Sequence, residues 1–265
     1  MDTFLDRILD KKSEEIQALY DQDILINQPL PVSTKPSLYE TFKQDDQLSI
    51  IAEIKRASPS KGDINLGIEP PEQARLYEES GASAISVLTD EPYFKGSIED
   101  LNHVQSKVNL PVLCKDFILD PIQLKRAKQA GASVVLLIAA ALSPERLQYL
   151  YDEAINLGLE VLLEVHNSAE LNLALATGAT IIGINNRDLT TFQVDLDTTE
   201  TLINQIDDPD IVVISESGFK TSDDAKQVAD IGADGILVGE SFMKSDNVSE
   251  ALSEMRVSTT RRVQS

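Results

Sequence analysis

Short apolar runs rich in Val, Ile and Leu alternate along the chain with longer stretches whose apolar residues recur at helical spacing. The runs fall near 48–55, 84–88, 111–114, 133–138, 160–164, 181–184, 211–215 and 235–238, and each reads as a buried strand. The stretches near 70–80, 97–107, 120–130, 144–157, 168–176, 197–205, 221–230 and 247–256 read as amphipathic helices. A local repeat marks the joints between them. Gly81-Ala82-Ser83, Gly131-Ala132-Ser133, Gly178-Ala179-Thr180 and Gly232-Ala233-Asp234 each precede a strand, and Gly158-Leu159 opens a fifth instance. A Gly in that place ends a helix in the left-handed conformation. Asp120-Pro121 and Ser143-Pro144 set a capping residue before a Pro at the first helical position, and Thr221 or Ser222 can cap the seventh helix.

Eight strand–helix units predict the α/β class and a closed (β/α)8 TIM barrel. A doubly wound open sheet is the alternative, but no Gly-rich dinucleotide turn follows an early strand. Ahead of the first strand, Phe4, Leu5, Ile8, Leu9, Ile16 and Leu19 predict an amphipathic helix, and the segment Gln28 to Pro36 breaks regular structure. The expected organisation is an amino-terminal helical extension over 1–47, packed on a catalytic barrel over 48–265, with no second domain.

Composition narrows the partners. Hydrophobic residues make up 42% of the 265, enough for a sizeable core. Lys+Arg total 23 against 44 Asp+Glu, a net charge of -21, which argues against nucleic acid or an anionic membrane as a partner. An anionic substrate would need a local basic pocket. The single cysteine excludes an internal disulfide and a Cys-rich metal site. Met1-Asp2-Thr3-Phe4 carries no signal-peptide pattern, and no apolar run is long enough to span a membrane, so a cytoplasmic protein is expected, with a monomer favoured.

The strand ends carry the candidate chemistry, because barrel active sites lie at the carboxyl ends of the strands. Strand 1 closes on Glu53 and Lys55, two residues apart and therefore on one face. Lys115 follows strand 3, Glu164 ends strand 5, and Asn185 and Arg187 follow strand 6, again two apart. Lysines and glutamates around one cavity can hold their pKa values apart and so supply an acid and a base near neutral pH. Strands 7 and 8 lead into Ser215-Glu216-Ser217-Gly218 and Val238-Gly239-Glu240-Ser241, where backbone N–H groups could cradle a phosphate, with Lys55 adding charge from the side. The Glu240 side chain suits no phosphate, so only its N–H would serve. Phe94, Phe117 and Ile138 could wall an apolar slot.

Plainer readings stand beside these. Glu53 and Lys55 could form a structural ion pair, and Lys115 a solvated strand end. Glu216 is out of phase with Ser217, which suits a structural hydrogen bond. His166 suits a supporting or packing role, His103 an outer helix, and Cys114 a buried small hydrophobe.

Six motifs occur in order: Glu53-Ile54-Lys55-Arg56-Ala57-Ser58-Pro59-Ser60-Lys61-Gly62, Lys115-Asp116-Phe117, Leu163-Glu164-Val165-His166, Gly183-Ile184-Asn185-Asn186-Arg187-Asp188-Leu189, Ser215-Glu216-Ser217-Gly218 and Val238-Gly239-Glu240-Ser241. Together they resemble the indole-3-glycerol phosphate synthase family of tryptophan biosynthesis over nearly the whole chain. The resemblance implies a carboxy-lyase that closes the indole ring from 1-(2-carboxyphenylamino)-1-deoxyribulose 5-phosphate, with loss of CO2 and water and with no metal or organic cofactor. It implies Lys115 as general acid, Glu164 as general base, Lys55 as anion holder and acid in dehydration, and Glu53 as its tuner. Asn185 and Arg187 would position substrate. Lys55, Ser58, Phe94, Phe117, Glu216, Ser217, Gly218, Gly239 and Glu240 would form the substrate- and phosphate-binding set, with Ser217 also counted among the catalytic residues. Two other readings stay open at this point: an aldolase using Lys115 or Lys55 as a Schiff base, and a barrel that only binds a phosphorylated metabolite.

Overall fold

The computed structural model describes residues 3–21 and 30–260; Met1, Asp2, Gln28 and Pro29, on which parts of the amino-terminal reading rest, lie outside the described residues. Eight parallel strands close into a barrel: β1 (Ser49–Ile54), β2 (Ala84–Leu88), β3 (Val112–Lys115), β4 (Val134–Ile138), β5 (Glu160–Val165), β6 (Ile181–Asn185), β7 (Val212–Glu216) and β8 (Gly235–Val238). Closure comes from β1, which pairs with β2 on one side and β8 on the other. This is the TIM-barrel architecture the alternation predicts, and the open sheet is excluded.

The helices start and stop where local chemistry directs. Asp120 caps the helix Pro121–Gln129 through a reciprocal box with Gln123, and Thr221 caps Ser222–Asp230 through one with Asp224. Ser143 accepts from the Arg146 N–H to cap Pro144–Asn156. All five glycines of the repeat have positive φ, from 67° at Gly158 to 94° at Gly81.

Two apolar cores result. One lies between the sheet and the ring of helices and takes Ile50, Ala52, Val135, Leu137, Leu163 and Val213. The other fills the barrel and takes the alternate residues Ile51, Leu113, Leu136, Leu162, Ile214 and Leu237. The parity is what matters for the site, since residues continuing the inward series reach the mouth.

Before the barrel come α1 (Phe4–Asp21) and α2 (Leu38–Gln44). The periodicity predicts α1; α2 falls after the Gln28–Pro36 segment, in a stretch to which the sequence reading assigned no element. It closes the bottom of the barrel. Leu38 and Phe42 join the inner core, and Phe42 occupies the space left by the missing side chain of Gly235. Glu160, at the start of β5, accepts from the Ser37 hydroxyl (2.8 Å) and from the N–H groups of Leu38 (2.7 Å) and Tyr39 (2.9 Å). A carboxylate is thus bound to the positive end of α2. Among the described residues, no helix is long and apolar enough to cross a membrane.

Phe42 is 2% exposed. Phe42→Ala is expected to lower unfolding free energy by about 3–5 kcal/mol in urea titration, with little change in the mouth-end chemistry. A loss below about 1 kcal/mol would mean that α2 does not plug the barrel.

Candidate active site

The strand ends open into one cavity of about 700 Å3. Glu53, Lys55, Ser58, Phe94, Lys115, Phe117, Glu164, Asn185, Arg187, Glu216, Ser217, Gly218, Gly239 and Glu240 all line it, as does Ile138. Every site residue expected from the sequence is therefore brought to a common space. Six basic side chains (Lys55, Lys61, Lys115, Arg187, Lys220, Lys244) meet five acidic ones (Glu53, Asp116, Glu164, Glu216, Glu240) there, a local reversal of the overall negative charge that makes room for an anion.

Lys115 occupies the centre. Its ammonium donates to Glu216 Oε2 and lies 3.5 Å from Glu164 Oε2. Burial alone would lower its pKa; Glu216, Glu164 and Glu53 reverse that and hold it above the ordinary lysine value. Burial would likewise raise Glu164, but Lys115 and His166 win and hold it low and ionised. Glu216 goes the other way. Burial pushes its carboxyl up, Lys115 opposes this, and the neighbouring Glu164 adds to the rise. The site thus contains a protonated lysine, an ionised carboxylate and a second carboxyl poised at higher pKa.

Glu216 corrects the sequence reading. It continues the inward series of Val212 and Ile214, so it points into the barrel. The chain then turns at Ser217, whose φ is +67°, and this brings Ser217 to the cavity as well despite the opposite parity. A glycine makes the space: a Cβ on Gly183 of β6 would overlap Glu216 Oε1. Gly239 does the same just after β8, where a Cβ would overlap the Glu53 carboxylate and crowd Lys55 Nζ. Glu53 and Lys55 are themselves paired, so the structural reading of that pair holds, in a place where both also face the cavity.

Asn185 Nδ2 donates to Glu164 Oε1 (3.1 Å), and its own Oδ1 accepts from the Arg187 N–H (3.0 Å). The Arg187 guanidinium donates to the Phe192 carbonyl (3.2 Å), which ties down the loop after β6. Behind Glu164 stands His166. Its Nε2 is 3.2 Å from Glu164 Oε1, and its Nδ1 is 2.9 Å from Glu170 Oε2. His166 does not line the cavity, consistent with the supporting role read from the sequence.

At the opposite side of the mouth, Ser217–Gly218 and Gly239–Glu240 face the cavity with Lys55, Lys61, Lys220 and Lys244. The Glu240 carboxylate is turned to Lys244 (2.7 Å). Ser58 belongs to a short hairpin, Ala57–Ser58 with Gly62–Asp63, that rises after β1. The Phe94 and Phe117 rings lie 6.2 Å apart at 37° and form an apolar wall with Ile138. Phe94 sits on a short helix, Glu91–Phe94, capped by Asp90, where only a loop was expected. Among the described residues, no cluster of three or more His, Cys, Asp or Glu forms a metal-ligand set.

The family model for indole-3-glycerol phosphate synthase matches residues 5–255. The chain belongs to the indole-3-glycerol phosphate synthase family. The indole-3-glycerol phosphate synthase of Oceanobacillus iheyensis is 50% identical over 261 residues, covering 98% of this chain and 99% of that protein. That of Bacillus mycoides is 46% identical over 257 residues, covering 97% and 99%. The structure of thiamine phosphate pyrophosphorylase from Pyrococcus furiosus aligns with a TM-score of 0.61 at 20% identity, over 83% of this chain and 96% of that one, and shows the barrel fold alone.

Sequence reasoning passed over one group of cavity residues. Phe4, Leu5 and Ile8 of α1 line the mouth, so the amino-terminal helix of this synthase-family barrel covers its site. The apolar stripe of α1 was visible, but nothing in it says which surface it meets. Phe192, in the loop after β6, packs edge-on to Phe4 with ring centres 5.7 Å apart.

The carboxylates of Glu164 and Glu170 outweigh the effect of burial on His166 and raise its pKa to about 10. A raised histidine stabilises the fold fully below its unfolded value near 6.5, and that contribution is lost as pH rises towards 10. In proton NMR the His166 C2–H is expected to keep its imidazolium shift past pH 8, with His103 as the second histidine signal. A His166 midpoint near 6.5 would contradict the Glu164–His166–Glu170 arrangement.

Proposed function

We propose that this chain catalyses the indole-3-glycerol phosphate synthase reaction of tryptophan biosynthesis, with Lys115 as the acid that drives ring closure. The observation that carries this reading is the placement of Lys115 between Glu164 and Glu216, opposite an aromatic wall on one side and a lysine-rigged, glycine-lined turn pair on the other. The substrate, 1-(2-carboxyphenylamino)-1-deoxyribulose 5-phosphate, has an aromatic carboxylate at one end, a carbonyl in the middle and a phosphate at the other. That order matches the order of groups across the cavity.

The ring carbon bearing the carboxylate attacks the ribulose carbonyl carbon. As this bond forms, the carbonyl electron pair moves to oxygen and takes the Lys115 proton. The ring–carboxylate bond then breaks, its electrons restore the aromatic sextet, and CO2 leaves. The resulting alcohol departs as water with a proton from Lys55, while Glu164 removes a proton from the neighbouring carbon, and the second double bond of the indole forms. Lys115 is suited to its step because its three carboxylate neighbours keep it protonated. Glu164 is suited to accept a proton because it remains ionised. Glu216 holds Lys115 in place and can return a proton to it. Glu53 holds Lys55, and Asn185 orients Glu164. Arg187 lies at the cavity edge for the substrate hydroxyls or carboxylate. Phe94 and Phe117 sandwich or flank the aromatic ring. Ser58, Ser217, Gly218, Gly239 and the Glu240 N–H meet the phosphate end.

A Schiff-base lysine would have to shed its proton, and the charge around Lys115 works against that. A barrel used only for binding would have no need of a buried ionised carboxylate beside a protonated lysine, an arrangement that is costly to bury.

Mixing the protein with the carboxyphenylamino-deoxyribulose phosphate is expected to give rising indole fluorescence. Glu164→Gln, which keeps the shape and loses the base, is expected to lower kcat by roughly 10²–10⁴-fold with a much smaller change in KM. Near-full kcat in Glu164→Gln would remove Glu164 from the chemistry.

A further inference from the structure

Lys12 lies on the inner face of α1 and is 2% exposed. It follows Phe4 and Ile8 at four-residue steps, so it sits on the same face that covers the cavity, yet it does not line the cavity itself. Its ammonium meets three carboxylates: Asp90 at 2.9 Å, Asp116 at 2.8 Å and Glu15 at 2.8 Å. Asp90 is 1% exposed, and both it and Asp116 belong to loops at the mouth. A buried cation with this many partners is costly to desolvate, so its position asks for a purpose beyond holding a helix down.

The two aspartates lead directly to the aromatic wall. Asp90 Oδ1 accepts from the Tyr93 N–H (2.9 Å) and caps the short helix that ends in Phe94. Asp116 Oδ1 accepts from the Phe117 N–H (2.8 Å), and Asp116 Oδ2 accepts from the Thr89 hydroxyl (2.6 Å). Asp116 also follows Lys115 in sequence. One ammonium group therefore ties α1 to the loop that carries Phe94 and to the loop that carries Phe117. Without that charge, the buried Asp90 carboxylate and the partly buried Asp116 carboxylate would be left to face each other, and their repulsion would push the two loops apart.

We propose that Lys12 is a positioning residue for the aromatic end of the substrate: it sets the separation of Phe94 and Phe117 by neutralising Asp90 and Asp116 together. The assignment rests on the ring-closing reading above. The phosphate end of the cavity, built on the turns after β7 and β8, is on other elements, and none of Lys12's ion pairs reaches it.

The test compares wild type with Lys12→Met, which keeps most of the length of the side chain and removes its charge, using steady-state indole fluorescence and inorganic phosphate as a competitive inhibitor. Wild-type turnover of the carboxyphenylamino-deoxyribulose phosphate is the control for the ring-closing reading; if wild type is inactive, that reading fails before Lys12 is at issue. With wild type active, Lys12→Met is expected to raise KM by on the order of tenfold or more, beyond any change in kcat, and to leave the phosphate inhibition constant within about twofold. Asp90→Asn, which keeps the acceptor for the Tyr93 N–H, is expected to shift KM in the same direction by less, and it carries the test if Lys12→Met does not fold. A lowered melting temperature with KM and kcat unchanged would make Lys12 a purely structural anchor and overturn the proposal. An equal weakening of phosphate inhibition would overturn it too, because the whole mouth would then have collapsed.

Discussion

One ammonium group shared between two buried carboxylates is the constraint around which the mouth of this barrel is arranged. Lys115 needs Glu216 and Glu164 to remain charged where it is buried, and they need it for the same reason. The three come from β3, β5 and β7, so only a closed barrel of fixed register brings them together. The neighbouring strands give way to them. Gly183 on β6 leaves room for Glu216, and Gly239 after β8 leaves room for Glu53 with Lys55. Replacing either glycine would add no new chemistry, yet it would displace a charged group that has no other place to go.

The ends of the barrel are closed in different ways for different purposes. At the bottom, α2 fills the interior with Leu38 and Phe42 and fastens its own amino terminus to Glu160. That contact is apolar packing plus a local charge–dipole match, and it belongs to stability. At the top, α1 lays Phe4, Leu5 and Ile8 over the cavity and fastens itself through Lys12 and through the Tyr20 hydroxyl, which donates to Asp120 (2.7 Å). The Lys12 attachment is polar and buried and involves the loops that hold the aromatic wall, while the Tyr20–Asp120 bond lies at the surface. A lid fastened by apolar surface alone could slide; one fastened by paired charges has a single register.

Much of this was legible in the sequence. The strand and helix alternation, the Gly joints and the proline caps follow local rules that tertiary context did not override, and the eight strands fell where the apolar runs lie. The inward parity of Glu53, Lys55, Lys115 and Glu164 follows from strand geometry alone. What was not legible depended on partners distant in sequence. The seven-residue α2 is too short to announce itself by period and makes sense only once the barrel bottom is there to receive Phe42. The direction of Glu216 depended on β7 running on to that residue, and the left-handed Ser217 then breaks the alternation that the parity argument used. Lys12 carried a signal that could have been used: a lysine in step with Phe4 and Ile8 on an apolar face has to find carboxylates somewhere.

The claim at the centre of this account is that the Lys115 proton drives ring closure, and the most direct test is kcat for indole formation by Lys115→Ala at saturating carboxyphenylamino-deoxyribulose phosphate, followed by fluorescence. The account predicts a fall of roughly 10²–10⁴-fold, with the variant still folded and still inhibited by inorganic phosphate. A folded variant that keeps near-wild-type kcat would contradict it, and the proton would then have to come from elsewhere in the cavity.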